Sequence, residues 1–227
     1  CLLSEIFFLQ LLKKILLTLI FSLIIITSTN YAFAQLYEDP LVILETTQGE
    51  IVIDLFRIDA PNHSENFLLL SKTGYYEGTL FHRIIPGFMI QSGDPNSING
   101  DPNTWGQGGN GAISDRINAE FNNIKHDRGI VSMARAQDPN SAGSQFFIVH
   151  KDSHFLDEQY TVFGRIVTES SFETLDKIAA VQTGSNDRPF NPEQVRIIST
   201  TVVERSEISN IMNLSEPSRT GSTVTAT

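Results

Sequence analysis

Cysteine is almost absent from this sequence, because Cys1 is the only one among 227 residues. The remainder of the chain therefore offers no disulfide, no thiolate zinc cluster and no thiol nucleophile. The five histidines form no helical His-x-x-x-His pair and no carboxylate-rich group with the spacing of zinc ligands. No serine lies in a nucleophile-elbow motif. The sequence therefore predicts no metal site and no activated nucleophile.

Basic residues are also scarce. The chain has 16 lysine and arginine residues against 26 acidic residues, which gives a formal net charge of −10. If the leader described below is removed, Lys13, Lys14 and Glu5 are lost, and 14 basic against 25 acidic residues leave a net charge of −11. Such an acidic balance disfavours nucleic acid and anionic membrane surfaces as partners. We therefore expect no nucleic-acid partner.

A phosphate-binding loop is missing too. Residues 94–121 are rich in Asp, Asn, Gly and Pro, with a run of glycines at residues 106–111. The lysine, hydroxyl residue and helix that a phosphate-cradling loop requires do not follow this run. The pattern predicts a long ordered surface loop. Trp105, the only tryptophan, falls in this loop, and its role cannot be inferred from the sequence.

The first 34 residues differ from the rest. Lys13 and Lys14 precede an apolar run at residues 15–26, and a small-x-small site ends at Ala34. This arrangement is typical of a secretory signal peptide, and the run is shorter than the roughly 20 residues that span a bilayer. We expect cleavage after Ala34 and export across the cytoplasmic membrane, the alternative being an anchor that is not cleaved. A start near Leu12 gives a leader of normal proportions, in which case residues 1–11 are not native.

After the leader, residues 35–40 form a short lead-in and residues 41–204 a single domain. Residues 205–227 are rich in Ser and Thr and are predicted to be a disordered tail. In the domain, β-rich runs flank residues 48–50 in a hairpin pattern, and helices are expected from Pro61 to about Gly74 and over residues 171–182. The second helix is expected to be capped by Ser170 or Ser171. Further strands are predicted at residues 129–134, 144–150, 160–167 and 195–203.

The most informative stretch is FHRIIPGFMIQSGDP, residues 81–95. It reads as a strand, a turn at Pro86-Gly87 and a second strand. A three-residue loop pairs Arg83 with Gln91 and Ile85 with Met89, which puts all four on one face, whereas a two-residue loop separates them. Such a face, with Phe88 at its corner, suits an apolar ring beside a carbonyl oxygen, as in a proline residue. The alternative is that Phe88 and Met89 are core and Arg83 is a solvated edge charge.

This stretch resembles the active-site strand pair of the cyclophilins, the peptidyl-prolyl cis-trans isomerases. Four further stretches resemble the same family in the right order: VSMA at 131–134, AGSQFFI at 142–148, FLD at 155–157 and YTVFG at 160–164. The resemblance covers residues 41–204. It implies a mainly β fold, a closed eight-stranded antiparallel β-barrel capped by two α-helices, and an isomerase that needs no cofactor.

The resemblance also implies the site. Arg83, Phe88 and Gln91 are the expected catalytic residues. The expected substrate-binding residues are Met89, Ala134, Arg135, Gln145, Phe147, Phe155, Leu156 and Tyr160. The chain departs from the best-known members where Arg135 replaces Asn, Phe155 replaces a common Trp and Tyr160 replaces a common His.

The expected partners are proline-containing peptides and unfolded exported proteins, and the chain is expected to be a monomer. Because Phe155 lacks the indole N–H of tryptophan, cyclosporin is expected to bind only weakly. Two other interpretations stay open. One is a proline-peptide binding module or holdase that uses the same groove without turnover, and the other is a small-ligand carrier barrel.

Overall fold

The computed structural model describes residues 40–204 together with Lys13, Lys14 and Thr18. The predictions for the leader, the lead-in and the tail fall almost entirely on residues outside this part of the chain. The chain divides between Glu38 and Asp39, and the fold below belongs to the second unit. Among the described residues, no helix has both the length and the apolar character needed to cross a membrane.

The described domain contains eight strands, two main helices, one four-residue helix and five short 3-10 helices. The strands are β1 (Leu41–Thr46), β2 (Gly49–Leu55), β3 (Arg83–Ile85), β4 (Met89–Ser92), β5 (Ile130–Met133), β6 (Phe146–Val149), β7 (Val162–Ile166) and β8 (Ile197–Val203). The helices are α1 (Pro61–Lys72), the four-residue α2 (Asn96–Asn99) and α3 (Glu169–Ala179). Most of the predicted elements are confirmed, with ends that shift by at most three residues.

The strands form one antiparallel sheet in the order β3-β4-β6-β5-β7-β2-β1-β8. Backbone hydrogen bonds join the segment before edge strand β3 to the start of edge strand β8: the Gly78 N–H donates to the Ile197 carbonyl and the Ile197 N–H to the Thr79 carbonyl, each at 2.8 Å. The pairing there amounts to one isolated bridge between Leu80 and Arg196. The sheet is therefore curled but open within the described domain, and the closed barrel that the resemblance implied is not confirmed.

The two faces of the sheet bury different groups of side chains. Alternation along β6 puts Phe146 and Ile148 into the main core with both helices, and Phe147 and Val149 into a second cluster. Phe146 packs edge-on against Phe67 of α1 at a ring distance of 5.1 Å. The strand predicted over residues 144–150 thus contributes to both clusters, and the second cluster forms the floor of the site.

Helix α1 begins at Pro61, as the sequence predicted. Its N-cap residue, Ala60, offers no side-chain acceptor. Glu120, which comes from the long loop, replaces that acceptor: its carboxylate accepts the backbone N–H groups of Asn62 at 3.1 Å and His63 at 2.9 Å. A cap supplied from outside the helix satisfies the same orphan donors as a local one.

Helix α3 begins two residues earlier than predicted and ends three residues earlier. Thr168, not Ser170 or Ser171, is its N-cap, and its Oγ1 accepts the Ser171 backbone N–H at 3.1 Å. The hydroxyl of Ser171 is used elsewhere, since it accepts the backbone N–H of Val52 on β2 at 2.9 Å. The capping prediction was wrong because a contact with the sheet, invisible in the local sequence, selects among neighbouring hydroxyl residues.

Candidate functional site

The β3–β4 hairpin has the register expected for a three-residue loop. Arg83 pairs with Gln91 and Ile85 with Met89. Gly87 in the turn has a φ of 77°, a conformation that glycine adopts without a steric penalty, and its N–H donates to Nδ1 of His150 at 2.8 Å. Ile84 and Ile90 point into the main core. The predicted pairing is confirmed.

A groove with a cavity of about 470 Å³ opens on this face. Nine of the eleven residues predicted for the site line it, so residues from five separate stretches of chain meet there. They are Arg83, Phe88, Met89, Gln91, Ala134, Arg135, Phe147, Leu156 and Tyr160. A second cavity of about 310 Å³ adjoins the first, and Gln145 lines it together with Gln91, Ala134 and Arg135.

The floor of the groove is apolar and tightly packed. Met89, Phe147 and Leu156 are 2%, 5% and 8% exposed and belong to the second hydrophobic cluster. The ring of Tyr160 meets Phe147 edge-on at 5.7 Å, and the ring of His126 lies parallel to Phe147 at 6.1 Å. Phe147 is thus held from two sides, as a rigid surface for an apolar ring requires.

His126 and Asp157 support this floor from behind. Nδ1 of His126 lies 3.0 Å from Oδ1 of Asp157, and Nε2 lies 3.2 Å from Oγ of Ser132. Burial lowers the pKa of His126 and outweighs the opposing effect of Asp157. Burial by itself raises the pKa of Asp157, but hydrogen bonds from His126 and Lys125 more than offset it and lower that pKa to about 2. The carboxylate stays ionised at neutral pH and fixes the imidazole beneath Phe147.

The polar side of the groove is built from two amides in series. Nε2 of Gln91 donates to Oε1 of Gln145 at 2.9 Å, and Nε2 of Gln145 donates to the Gly108 carbonyl at 2.7 Å. Gln91 lines both cavities, and within the described domain no hydrogen bond occupies its Oε1, which remains available as an acceptor. The glycine-rich loop therefore orients the amides that the sequence predicted for peptide binding.

Arg83 stands at the edge of this apolar floor with its side chain 44% exposed. Its Nε donates to Oδ2 of Asp187 at 3.3 Å. An arginine carries five N–H donors in a planar fork, so this bond leaves the two terminal nitrogens available. The structure puts a permanent cation with free donors next to an apolar pocket.

Arg135 behaves differently from Arg83. Its guanidinium lies 4.6 Å from the centre of the Tyr160 ring. Its terminal nitrogens donate to the carbonyls of Ala136, Gln137 and Gln159 at 3.0 to 3.1 Å. These bonds occupy both terminal nitrogens and tie residues 136 and 137 to residue 159, so the side chain works as a brace.

Phe155 lies at the rim. Its side chain is 66% exposed and does not line the cavity, although its ring contacts that of Phe88 at 5.4 Å. The sequence predicted a pocket wall here. The structure puts Phe155 outside that wall, because the 3-10 turn His154–Leu156 directs Leu156 inward instead.

Sequence reasoning missed several residues that line the same groove: His82, Trp105, Gly106, Asn186, Asp187 and Arg188. Trp105 is anchored by a 3.2 Å bond from its Nε1 to the Gly100 carbonyl. Asp187 meets Arg83 across 104 positions of sequence, and no local pattern announces such a contact. The alternation of the strand could have indicated only that His82 faces away from Arg83.

His82 is buried at 3% exposure, and neither ring nitrogen has a hydrogen-bond partner in the described domain. Burial lowers its pKa to about 4, against a smaller opposing effect of Asp94. The imidazole is therefore neutral at physiological pH.

One group of described residues offers three metal-ligand atoms within 4.8 Å of one another: Asp127, Asp152 and His154. All three side chains are exposed. Nε2 of His154 already lies 2.8 Å from Oδ1 of Asp127, and Asp152 accepts the Arg128 backbone N–H at 2.9 Å. These ion-pair and hydrogen-bond contacts account for the grouping.

Fold and groove together define a class: mainly β proteins that present an apolar pocket beside an arginine and a pair of oriented amides. Residues 41–202 match the family model described as cyclophilin type peptidyl-prolyl cis-trans isomerase/CLD. The chain belongs to this family, and its activity is that of a peptidyl-prolyl cis-trans isomerase.

Individual relatives agree with this assignment. The chain is 40% identical over 168 residues to peptidyl-prolyl cis-trans isomerase-like 1 of Gibberella zeae, covering 73% of this chain and 96% of that protein. It is 41% identical over 163 residues to the Arabidopsis thaliana isomerase CYP18-1, covering 71% and 94%. A Cryptosporidium parvum cyclophilin, solved in the presence of the dipeptide Ala-Pro, aligns with a TM-score of 0.63 and 34% identity over 71% of this chain and 98% of that one.

Proposed function

We propose that the groove binds proline-containing peptides and that Arg83 carries the isomerisation. The substrates in this proposal are unfolded exported proteins, in which prolyl isomerisation limits folding. The observation that carries the proposal is the free guanidinium edge of Arg83 beside the buried floor of Met89, Phe147 and Leu156. The Cryptosporidium parvum structure, determined in the presence of Ala-Pro, supports a proline peptide as ligand.

The barrier to be lowered comes from amide resonance and amounts to about 18–20 kcal/mol. Rotation needs no nucleophile. In the twisted transition state the resonance is lost, so the prolyl nitrogen becomes pyramidal and more basic, and the carbonyl becomes ketone-like. A pocket with little water favours this less dipolar state over the planar amide. Interactions that strengthen only in the transition state raise the rate of the step.

Arg83 supplies such an interaction. Its terminal N–H groups donate to the carbonyl of the proline residue and, as the nitrogen becomes pyramidal, toward its lone pair. Phe88, Met89, Phe147 and Leu156 hold the ring meanwhile. The acceptor oxygen of Gln91, held in place through Gln145, binds the peptide backbone, as does the main chain around Ala134 and Arg135. One side of the bond is fixed while the other rotates.

Replacement of Arg83 tests this mechanism. We expect Arg83→Ala to lower kcat/KM by about two to three orders of magnitude, which is the usual effect of losing one transition-state donor. Because the side chain is 44% exposed, the melting temperature should hardly change. We expect Arg83→Lys to restore little, since an ammonium lacks the planar fork. The measurement is a protease-coupled isomerisation assay on a short X-Pro peptide, and activity of Arg83→Ala within twofold of wild type would contradict the role.

The same assay separates the enzyme from a holdase that uses the same groove. A holdase binds the peptide, so a binding titration reaches saturation, but the isomerisation rate of the free peptide remains unchanged.

The affinity for cyclosporin is a separate test of the groove and can be measured by titration. Weak binding remains our prediction, now on the ground that Phe155 is an exposed rim residue without a hydrogen-bond donor.

A further inference from the structure

The loop after α3 has an unusual backbone where it meets the groove. Asn186 and Asp187 both have positive φ, at 61° and 59°. Only one other non-glycine residue of the described chain, Glu158, shares this conformation. Left-handed backbone is disfavoured at residues with a Cβ, least so at Asn and Asp, and when it persists it tends to occur at functional sites. Two such residues in succession call for an explanation.

The rest of the loop holds these two residues in place. The backbone N–H of Gly184 donates to the Arg188 carbonyl at 2.8 Å, and Thr183 and Pro189 form an antiparallel bridge. The loop is thus closed at its base, and its tip, residues 186–188, lines the groove. The strained residues are the ones that face the site.

What the tip brings to the site is the carboxylate of Asp187. Its Oδ2 accepts the Nε–H of Arg83 at 3.3 Å. Both side chains are 44% exposed, and an exposed ion pair of this kind contributes little to stability. The contribution of this ion pair to stability is therefore too small to explain why a loop with left-handed backbone holds the Asp187 carboxylate next to Arg83.

The geometry of the pair suits a different purpose. The carboxylate engages Nε, the nitrogen nearest the arginine stem, and within the described domain no hydrogen bond occupies the terminal nitrogens of Arg83. A long side chain that is held at Nε loses rotational freedom while its outer N–H groups keep their direction. This is what a donor aimed at a substrate atom requires.

We infer that Asp187 is a positioning residue for Arg83: it fixes the guanidinium plane over the apolar pocket so that the terminal N–H groups face the bound proline residue. The inference rests on the proposed role of Arg83. In this role Asp187 acts through Arg83, by removing in advance the side-chain entropy that Arg83 otherwise loses on reaching the transition state.

Asp187→Asn tests the carboxylate, since asparagine has the same shape and tolerates the left-handed backbone. We expect kcat/KM to fall about three- to tenfold, the cost of ordering one long side chain, with an unchanged melting temperature. Asp187→Gly relieves the backbone but also lacks the carboxylate, so it should lose the same activity while gaining stability. The matched control is Glu65→Gln, which removes the charge from one partner of the similarly exposed Arg57–Glu65 ion pair of 3.4 Å and should leave kcat/KM unchanged.

Two readouts distinguish positioning from general damage. In an Arg83→Lys background, Asp187→Asn should have less than a twofold effect, because coupled residues are not additive. The NMR signal of the Arg83 Nε–H should exchange slowly with water in wild type and in Glu65→Gln, and quickly in Asp187→Asn. Additive effects in the double variant, or an unchanged Nε–H signal, would overturn the inference.

The outcomes also separate this inference from the proposed function. If Arg83→Ala loses activity by two orders of magnitude while Asp187→Asn and Asp187→Gly stay within twofold of wild type, the catalytic role of Arg83 stands and the role of Asp187 falls. If Arg83→Ala itself stays within twofold, both fall.

Discussion

Three buried histidines make the stability of the domain depend on pH between pH 6.5 and 4. Burial is the largest influence on the pKa of His63, His82 and His126, and it lowers all three. Nearby carboxylates, Glu120 for His63 and Asp157 for His126, oppose the shift without reversing it. His82 has no such hydrogen-bonded partner, and its pKa falls furthest, to about 4. The unfolded chain therefore takes up protons at a higher pH than the folded chain does.

The sign of the effect follows from linkage. The pKa of His82 is 6.5 in the unfolded chain and about 4 in the folded domain. Between pH 6.5 and pH 4, therefore, the unfolded state binds a proton at His82 that the folded state does not bind. The free energy of unfolding is expected to fall as pH is lowered through this window, by about 3 kcal/mol for His82 alone. Urea denaturation at a series of pH values measures it.

The variant His82→Asn isolates this contribution, because asparagine does not titrate. Its stability is expected to be lower than that of wild type at pH 7 and to vary less between pH 6.5 and 4. The slopes left in the variant belong to His63 and His126 and, toward pH 4, to the carboxyls of Glu120 and Asp157, whose pKa values are also lowered in the folded domain. Parallel curves for the two proteins would show that His82 is protonated equally in the folded and unfolded states.

At the scale of elements, the cap of α1 comes from a distant loop. Glu120 accepts both backbone N–H groups at the helix start and also lies 2.7 Å from Nδ1 of His63. We expect Glu120→Ala to lower the free energy of unfolding by about 1–2 kcal/mol, as the loss of an N-cap acceptor does. Glu120 does not line the groove, so kcat/KM should stay within twofold. Thermal unfolding checks the first expectation, and an unchanged melting temperature would show that water replaces the carboxylate.

A structural feature could be predicted from the sequence when the residues that determine it lie close together in the chain. The β3–β4 register followed from a three-residue Pro-Gly turn, and the start of α1 from Pro61, because both causes lie within a few residues. The caps of the two helices could not be predicted in this way. Glu120 reaches α1 across 58 residues, and Ser171 is diverted from capping by Val52, 119 residues away.

The groove shows the same contrast between residues that could be assigned from local sequence and residues that could not. Arg83, Gln91 and Phe147 could be assigned because they lie in motifs that resemble a known family. Asp187 and Arg188 lie in a loop whose sequence carries no motif, and only the folded chain brings them to Arg83. The position of Trp105 in the groove could not be predicted from the sequence either, because it depends on the path of the loop and on a single hydrogen bond to the Gly100 carbonyl.

For the molecule as a whole, the fold and the proposed export signal are separate features. The first strand begins at Leu41, and the predicted cleavage site after Ala34 lies six residues before it. Removal of residues 1–34 therefore takes away no residue of the described domain core. Isomerase activity is thus expected to be the same with or without the leader.

We expect the exported protein to begin at Gln35. The physical reason is the small-x-small sequence that ends at Ala34 after an apolar run too short to span a bilayer. Expression of the full chain in a secreting host, followed by N-terminal sequencing and intact-mass measurement of the exported fraction, tests this directly. Ala34→Leu, which enlarges the residue before the cut, should leave the leader attached and the protein in the membrane fraction, with the folded domain still active. Wild-type protein that retains residues 15–26 in the membrane fraction would instead identify the segment as an anchor.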